Sequence, residues 1–554
     1  LGGKRLYYAE SERVFMQRKQ ILWIDDEVEF FRAHIMFLEA RGYNVMPVYS
    51  GNDGLSLLHK TPNAFDIVLL DEQMPGKDGL TVLSEIKKFL PDLPVVMVTK
   101  SEEEDLMERA IGKKIDGYLT KPVNPSQILM VCKRLLQTQE ILSEQAKNAF
   151  VKNYSEIKNF LQNQDEISHK DWVKIYQQLV RRELDTENVE DETIRQTHNT
   201  QKVEIEQKFS EFVMENYPLW IKKSDTLIEK PTLSNEILQK YVVPEINKNP
   251  KFALIVLDSI QLSQFVMIQR FLRKSFQNSG TYFYFSTLPT TSPHALGSLF
   301  TGLLPVEFAK EKPDLWNNFL GGANTHEKVA EFGFEKLGSE KKPIFFNMLK
   351  DNLQASDIIA KIEKKCDDGN SFPLIFSDFL DLLQSNKQSK FVKDLITSPK
   401  VFRDMTSTWF EKSELHKLLQ ELSKQNYTIA LTPSSGNVLC TTAAEFYGSA
   451  DGYCNMRFRS GESIDVDRRI GFYVLEPQNY GLPIKSENTH INILNGSYYF
   501  TPHLNYKRNE KTKYKTDIKY STSYFEKGGI SLEEMIVPLT IMRPLSNEPD
   551  GELL

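Results

Sequence analysis

Five short apolar runs, ILWI, NVMPVY, DIVLLD, PVVMVT and DGYLT, recur between Gln20 and Gln137, and stretches of helical periodicity separate them. Strands that alternate with helices in this way build a parallel sheet, and such a sheet is covered by helices on both faces. Residues 20–138 are therefore expected to form a doubly wound, flavodoxin-like α/β domain. In sheets of this kind ligands bind beyond the carboxyl ends of the strands. Four of the runs close on polar groups: Asp25-Asp26-Glu27, Asp71, Thr99 and Lys121-Pro122. These should gather at one edge.

That set of groups suits phosphoryl chemistry. A carboxylate accepts a phosphoryl group only if charge on the transferring group is neutralised, which magnesium held by hard oxygen ligands does well. Asp25 and Asp26 offer an acidic pair. Asp71 is expected to be both ligand and nucleophile, with the carbonyl of Gln73 completing the protein ligands. Lys121 presents an ammonium to the phosphoryl oxygens, and Pro122 after it fixes the turn as a cis peptide. The Thr99 hydroxyl would bond the phosphoryl group once it appears, letting Tyr118 rotate inward. IDDE, LLDEQMPGKDG, VTK and YLTKP resemble the response-regulator receiver family in order and spacing. The resemblance implies phosphorylation at Asp71 by a sensor histidine kinase, with dimerisation as the response. Lys100 departs from the family, where a small residue follows the threonine, and bears on how fast the acyl phosphate is lost.

The chain of 554 residues is too long for one core. Residues 1–19 read as an extension. From 139 to 245 glycine is absent and apolar residues recur at helical spacing, which points to a helical-bundle connector. From 246 to 554 strand signals return in FALIVLD, TYFYFS, FPLIFSD, YTIALT and RRIGFYVLE, indicating a second and larger α/β sheet. Its last part reads as irregular loops leading to a final edge strand. A net charge of -7 gives no bulk attraction to nucleic acid or anionic membrane, and no apolar run is long enough to span a bilayer. Four scattered cysteines without a C-x-x-C pair argue against a zinc ribbon and fit a cytoplasmic protein.

ALIVLDSIQLSQF (Ala253 to Phe265), STLPTTSPHALGSLFTGLLP (Ser286 to Pro305), WFEKSELHKLLQEL (Trp409 to Leu422) and GGISLEEMIVP (Gly528 to Pro538) together resemble the PglZ branch of the alkaline-phosphatase superfamily. Behind a receiver, the architecture resembles PorX-type response regulators. The resemblance implies a phosphodiesterase site with two zinc ions held by Asp and His and a threonine nucleophile. Here that site is incomplete. Asp258 and Asp378 stand at metal carboxylates and Ser292 at the nucleophile, with Thr291 as the alternative. However, Leu382, Ser434-Ser435 and Lys527 replace expected ligands, so zinc is not expected. The resemblance also implies a role with a sigma factor or a secretion-system regulator, and an oligonucleotide ligand; the basic, aromatic stretch from Tyr506 to Phe525 would suit the latter. Three readings stay open: a switch with a non-catalytic output domain, an active metal-dependent phosphohydrolase using Ser292, and a scaffold in which the receiver dimerises and the large domain only packs.

Overall fold

The structure is a computed structural model. It describes the chain apart from residues 1–18, 63, 101–114, 137, 164–166, 188, 190, 223–228, 349–353, 367–368, 379–397, 445, 448–454, 462–464, 467–469, 475, 485–488, 501–523 and 546–554. It divides into two compact units, Leu1–Asn148 and Ala149–Leu554.

In the first unit β1 (Lys19–Ile24), β2 (Tyr43–Val48), β3 (Ile67–Asp71), β4 (Val95–Thr99) and β5 (Gly117–Thr120) form one parallel sheet in the order β2-β1-β3-β4-β5. This is the flavodoxin-like order. Its strand sequence reverses between β1 and β3, which opens a crevice at their carboxyl ends. Side chains alternate across the pleat: Leu22 and Ile24 face one core with Leu55, Leu58 and Leu83, while Ile21 and Trp23 face the other with Leu38, Ile128 and Cys132. Helices α1 (Arg32–Glu39), α2 (Gly51–Lys60), α3 (Gly79–Phe89) and α4 (Pro125–Leu136) supply those partners. Ser50 and Asp78 cap α2 and α3 by accepting from the Asp53 and Thr81 amides. Gly79 is required where it stands. A Cβ there would lie 2.3 Å from the Asp71 carbonyl oxygen, so only glycine lets α3 begin so close to the end of β3.

The second unit is built on a six-stranded sheet. Its members are β6 (Phe252–Asp258), β7 (Phe276–Phe285), β8 (Lys342–Asn347), β9 (Ser371–Asp378), β10 (Thr428–Thr432) and β11 (Ile536–Pro544), in the order β7-β11-β10-β6-β9-β8. Strands β8, β9, β6 and β10 run parallel; β11 runs antiparallel to both of its neighbours. Along β6, Ala253, Ile255 and Leu257 enter one core while Phe252, Leu254 and Val256 enter the other.

Three features differ from the sequence expectation. The final strand is not an edge: β11 lies between β7 and β10, and its first seven residues are buried, as an interior strand requires. RRIGFYVLE lies outside the large sheet; its strand, Gly471–Val474, joins a small antiparallel sheet with Phe458–Gly461 and His490–Leu494. KPIFFN, missed for lack of alternation and for its lysine and proline, forms the edge strand β8, where a proline is tolerated.

The connector is helical: α5 (Thr138–Asn163), α6 (His169–Asp185) and α7 (Glu192–Trp220). Ser168 and Asp171 form a capping box at the start of α6. Trp172, Ile175, Phe209, Val213 and Trp220 from these helices share one core with Phe285, Leu288, Ile530 and Ile536. Helices α6 and α7 therefore belong to the same packed body as the large sheet. The irregular stretch expected after Gly496 falls mostly within 501–523, outside the described residues. No helix among the described residues is long and apolar enough to cross a membrane.

Candidate functional site

The register of the first sheet brings the polar strand ends together. Ile24 pairs with Leu70, Asp71 with Val98, and Thr99 with Thr120. Asp25, Asp71 and Thr99 are buried, while Asp26 is exposed. Carboxylate oxygens of Asp25, Asp26 and Asp71 all lie within 4.8 Å of one another. Lys121 Nζ reaches Asp25 Oδ2 at 2.8 Å and Asp71 Oδ1 at 3.2 Å. The Lys121-Pro122 bond is cis, and the Lys121 amide donates to the Thr99 carbonyl at 2.7 Å. Backbone amides of Glu27 and Glu72 donate to Asp25 Oδ1 and Asp71 Oδ1, each at 2.9 Å.

Burial pushes the Asp71 carboxyl up to about 6, opposed by the Lys121 charge and reinforced by the Asp25 charge. Three carboxylates against one ammonium leave an excess of two negative charges, which a divalent cation neutralises. The donors are hard oxygens, so the set fits magnesium and does not select zinc or copper. Gln73 is exposed in the loop leaving β3. Tyr118 is half-buried against the core formed with α2 and α3. At the mouth, Lys100 Nζ pairs with Glu27 Oε2 at 2.6 Å, holding the Glu27 carboxyl below its usual range.

A second polar cluster sits at the carboxyl ends of the large sheet. Asp258 and Asp378 are register partners on β6 and β9. Asp258 is fully buried and saturated by donors. Ser434 donates to its Oδ1, and Ser292 Oγ donates to its Oδ2 at 3.1 Å from the first turn of α8 (Ser292–Thr301). Lys527 Nζ lies 2.7 Å from the same Oδ2 and 3.8 Å from Asp378 Oδ2, and it also donates to Ser259 Oγ. Burial raises the Asp258 carboxyl, but the Lys527 charge with the bonds from Lys527, Ser434 and Ser292 more than offsets it, leaving it below the ordinary range.

Thr291 is buried with Oγ1 2.7 Å from His294 Nδ1. His294 packs against Trp316 and Phe458, and burial pushes it down to about 3, so it is neutral. Ser435 Oγ is buried without a hydrogen-bond partner. Leu382 and most of the stretch from Tyr506 to Phe525 lie outside the described residues. The structure thus gathers Asp258, Ser292, Asp378, Ser434 and Lys527, while the Thr291 hydroxyl is engaged by His294.

Sequence reasoning missed the groups that hold Lys527 in place. Ser259 adopts a left-handed φ of 61°, a conformation costing a non-glycine residue about 1–2 kcal/mol, and its hydroxyl meets the ammonium. Asn455 Nδ2 donates to the Lys527 carbonyl at 2.7 Å, and Gly528 follows at φ 120°. Beyond it, Glu534 accepts from Arg457 Nε at 2.9 Å and Nη2 at 2.8 Å, from the Gly529 amide at 2.8 Å and from Ser531 Oγ at 2.8 Å. The charged pair is wholly buried. A Cβ on Gly529 would lie 2.3 Å from Arg457 Nη2, which accounts for the second glycine of GGISLEE. The only sequence signal for this anchor was the Glu pair in that motif; Arg457 lies 77 residues away.

Comparison with known proteins places these observations. Residues 21–133 match the response regulator receiver domain, and residues 140–221 match the PorX response regulator linker domain. The transcriptional regulatory protein BaeR of Escherichia coli O6:H1 is 36% identical over 120 residues, covering 21% of this chain and 48% of that protein. The chain thus spans about half the length of this curated relative. Among solved structures, a response regulator receiver domain protein from Clostridium thermocellum is 29% identical, with TM-score 0.21, covering 22% of this chain and 98% of that one. A CheY-like receiver protein from Methanospirillum hungatei JF-1 is also 29% identical, with TM-score 0.21, covering 22% and 96%. Over residues 21–221 the chain carries a response-regulator receiver joined to a PorX-type linker, the pairing of PorX-type response regulators.

Proposed function

We propose that this chain is a two-component response regulator that a sensor histidine kinase phosphorylates on Asp71, and that its large C-terminal part is a PglZ-like output domain acting through binding or dimerisation rather than hydrolysis. The observation that carries the switch is the pocket itself: Asp71 lies beside Asp25, Asp26 and the Lys121 ammonium at the topological switch point of the sheet. Asp25, Asp26, Asp71 and the Gln73 carbonyl would hold magnesium, which when bound shields the charge of the incoming phosphoryl group. Asp71 attacks phosphorus through a carboxylate oxygen as the P–N bond to the kinase's phosphohistidine breaks and the imidazole leaves, Lys121 takes up charge on the phosphoryl oxygens, and Thr99 and Tyr118 report the change to the surface.

The non-catalytic reading rests on the donor set of the second cluster. A pair of zinc ions needs several anionic or imidazole ligands free to bind. Here Asp258 already carries an ammonium and two hydroxyl donors, and serines occupy the positions after β10. The set does not fit zinc. Labelling with acetyl phosphate and magnesium tests the switch: the native chain should gain one phosphoryl group and change its oligomeric state, and Asp71→Ala should do neither. Labelling that persists in Asp71→Ala refutes the assignment. Turnover of a bis-aryl phosphodiester that disappears in Ser292→Ala would instead establish an active hydrolase.

A further inference from the structure

We propose that Lys527 is a tethered cation that fills the place of a metal ion between Asp258 and Asp378, so that removing its side chain uncovers a divalent-cation site. This deepens the non-catalytic reading of the output domain and rests on it.

Four observations carry the inference. First, the ammonium sits between two carboxylates on adjacent parallel strands, at 2.7 Å and 3.8 Å, as a shared cation would. Second, Asp258 has no exposure, so its charge needs a partner from within the protein. Third, the chain accepts local strain to deliver that partner: Ser259 takes a left-handed backbone and turns its hydroxyl onto Lys527. Fourth, the lysine is positioned from behind, by Asn455 on its carbonyl and by Gly528, whose amide donates to Thr290 Oγ1 at 2.9 Å. Lys527 itself is mostly buried, with a side chain 14% exposed. An ammonium on a flexible stem is not replaced by solvent at such a depth.

The same geometry says what the site would take once emptied. Two carboxylates, with Ser292, Ser434 and Ser259 hydroxyls around them, form an all-oxygen set with no cation of its own. A divalent ion that prefers oxygen ligands suits such a set, and Mn²⁺ and Mg²⁺ serve as probes.

The test uses the full-length chain and the melting transition of the large unit. Deleting one partner of a buried pair is strongly destabilising, and for a unit of about 400 residues it lowers the transition by roughly 3–6 °C. Lys527→Ala should show that loss. Saturating Mn²⁺ or Mg²⁺ should recover at least half of it, and should leave the large-unit transition of both the native protein and Asp258→Asn/Lys527→Ala unmoved. Lys527→Arg keeps the charge and should melt close to the native protein. The inference is overturned if the native chain is stabilised by either ion at this unit, if Lys527→Ala gains nothing from them, or if Lys527→Arg loses as much as Lys527→Ala. Turnover of a phosphodiester is scored separately, so the tethered cation can fail while the non-catalytic reading stands.

Discussion

Asp71→Asn should make the receiver more stable in the absence of magnesium. Burial and the Asp25 charge hold the Asp71 carboxyl at about 6, against an ordinary aspartate value of about 3.9. Folded protein therefore keeps the Asp71 proton over a pH range in which the unfolded chain has released it. Stability must fall as pH rises from about 4 to about 6, and above that the penalty is complete. A shift of about 2 units at roughly 1.36 kcal/mol each gives about 3 kcal/mol, and partial solvation at the pocket mouth brings the expected gain to ~1–3 kcal/mol at pH 7.5. The gain should be about halved at pH 5 and absent below pH 4, where both forms are neutral. Asparagine keeps the shape of the carboxyl and leaves Lys121 paired with Asp25. Calorimetry of the full-length chain, with amide exchange on peptides spanning β3 and β4, reads the receiver separately from the large unit. Magnesium should close the gap between native and variant. A variant no more stable than the native chain at pH 7.5, or a difference that does not change between pH 7.5 and 5, would refute the reasoning.

Magnesium affinity should fall by about tenfold between pH 7.5 and pH 5, because the ion competes with a proton on Asp71; a flat titration by calorimetry would contradict the assigned ligand. Arg457→Met should destabilise the large unit by about 3–5 kcal/mol, since it strands the buried Glu534 carboxylate, and Glu534→Gln in the same chain should restore part of it in urea denaturation. Burial pushes the Cys132 and Cys440 thiols up to about 12, so iodoacetamide at pH 8 should leave both unmodified until the chain is unfolded, as peptide mass mapping would show.

The receiver was legible because its signals are local. Each apolar run ends on the residue that does the chemistry, so strand order and pocket follow from short stretches read one at a time. The acid cluster formed where the run-ends placed it. The large unit was less legible because its determinants are distant in sequence. Interior placement of β11 depends on β7, some 250 residues earlier, and nothing in ISLEEMIVPLTIM marks which strands will flank it. The connector reads as a free bundle because amphipathic periodicity says that a face is buried but not against what; Phe285 and Ile536 turn out to complete that face. The sequence reading singles out Lys527 through a resemblance, whereas Ser259 and Asn455, which contact it, carry no pattern a reader could find.

The position of β11 has a consequence for how the protein is made. During synthesis β7 emerges long before the strand that pairs with it: Ile536 follows its register partner Phe285 by 251 residues. At ~5–20 residues per second a ribosome takes about 13–50 s to cross that gap. Until then β7, and β10 once Thr432 has been made, cannot be joined, and unpaired strand edges are exposed to any neighbouring chain. Nascent copies on one message would then compete with the chain's own last strand for the same slot. Slow translation of the segment ahead of β11, or a chaperone bound over β7, should therefore change the yield of folded protein.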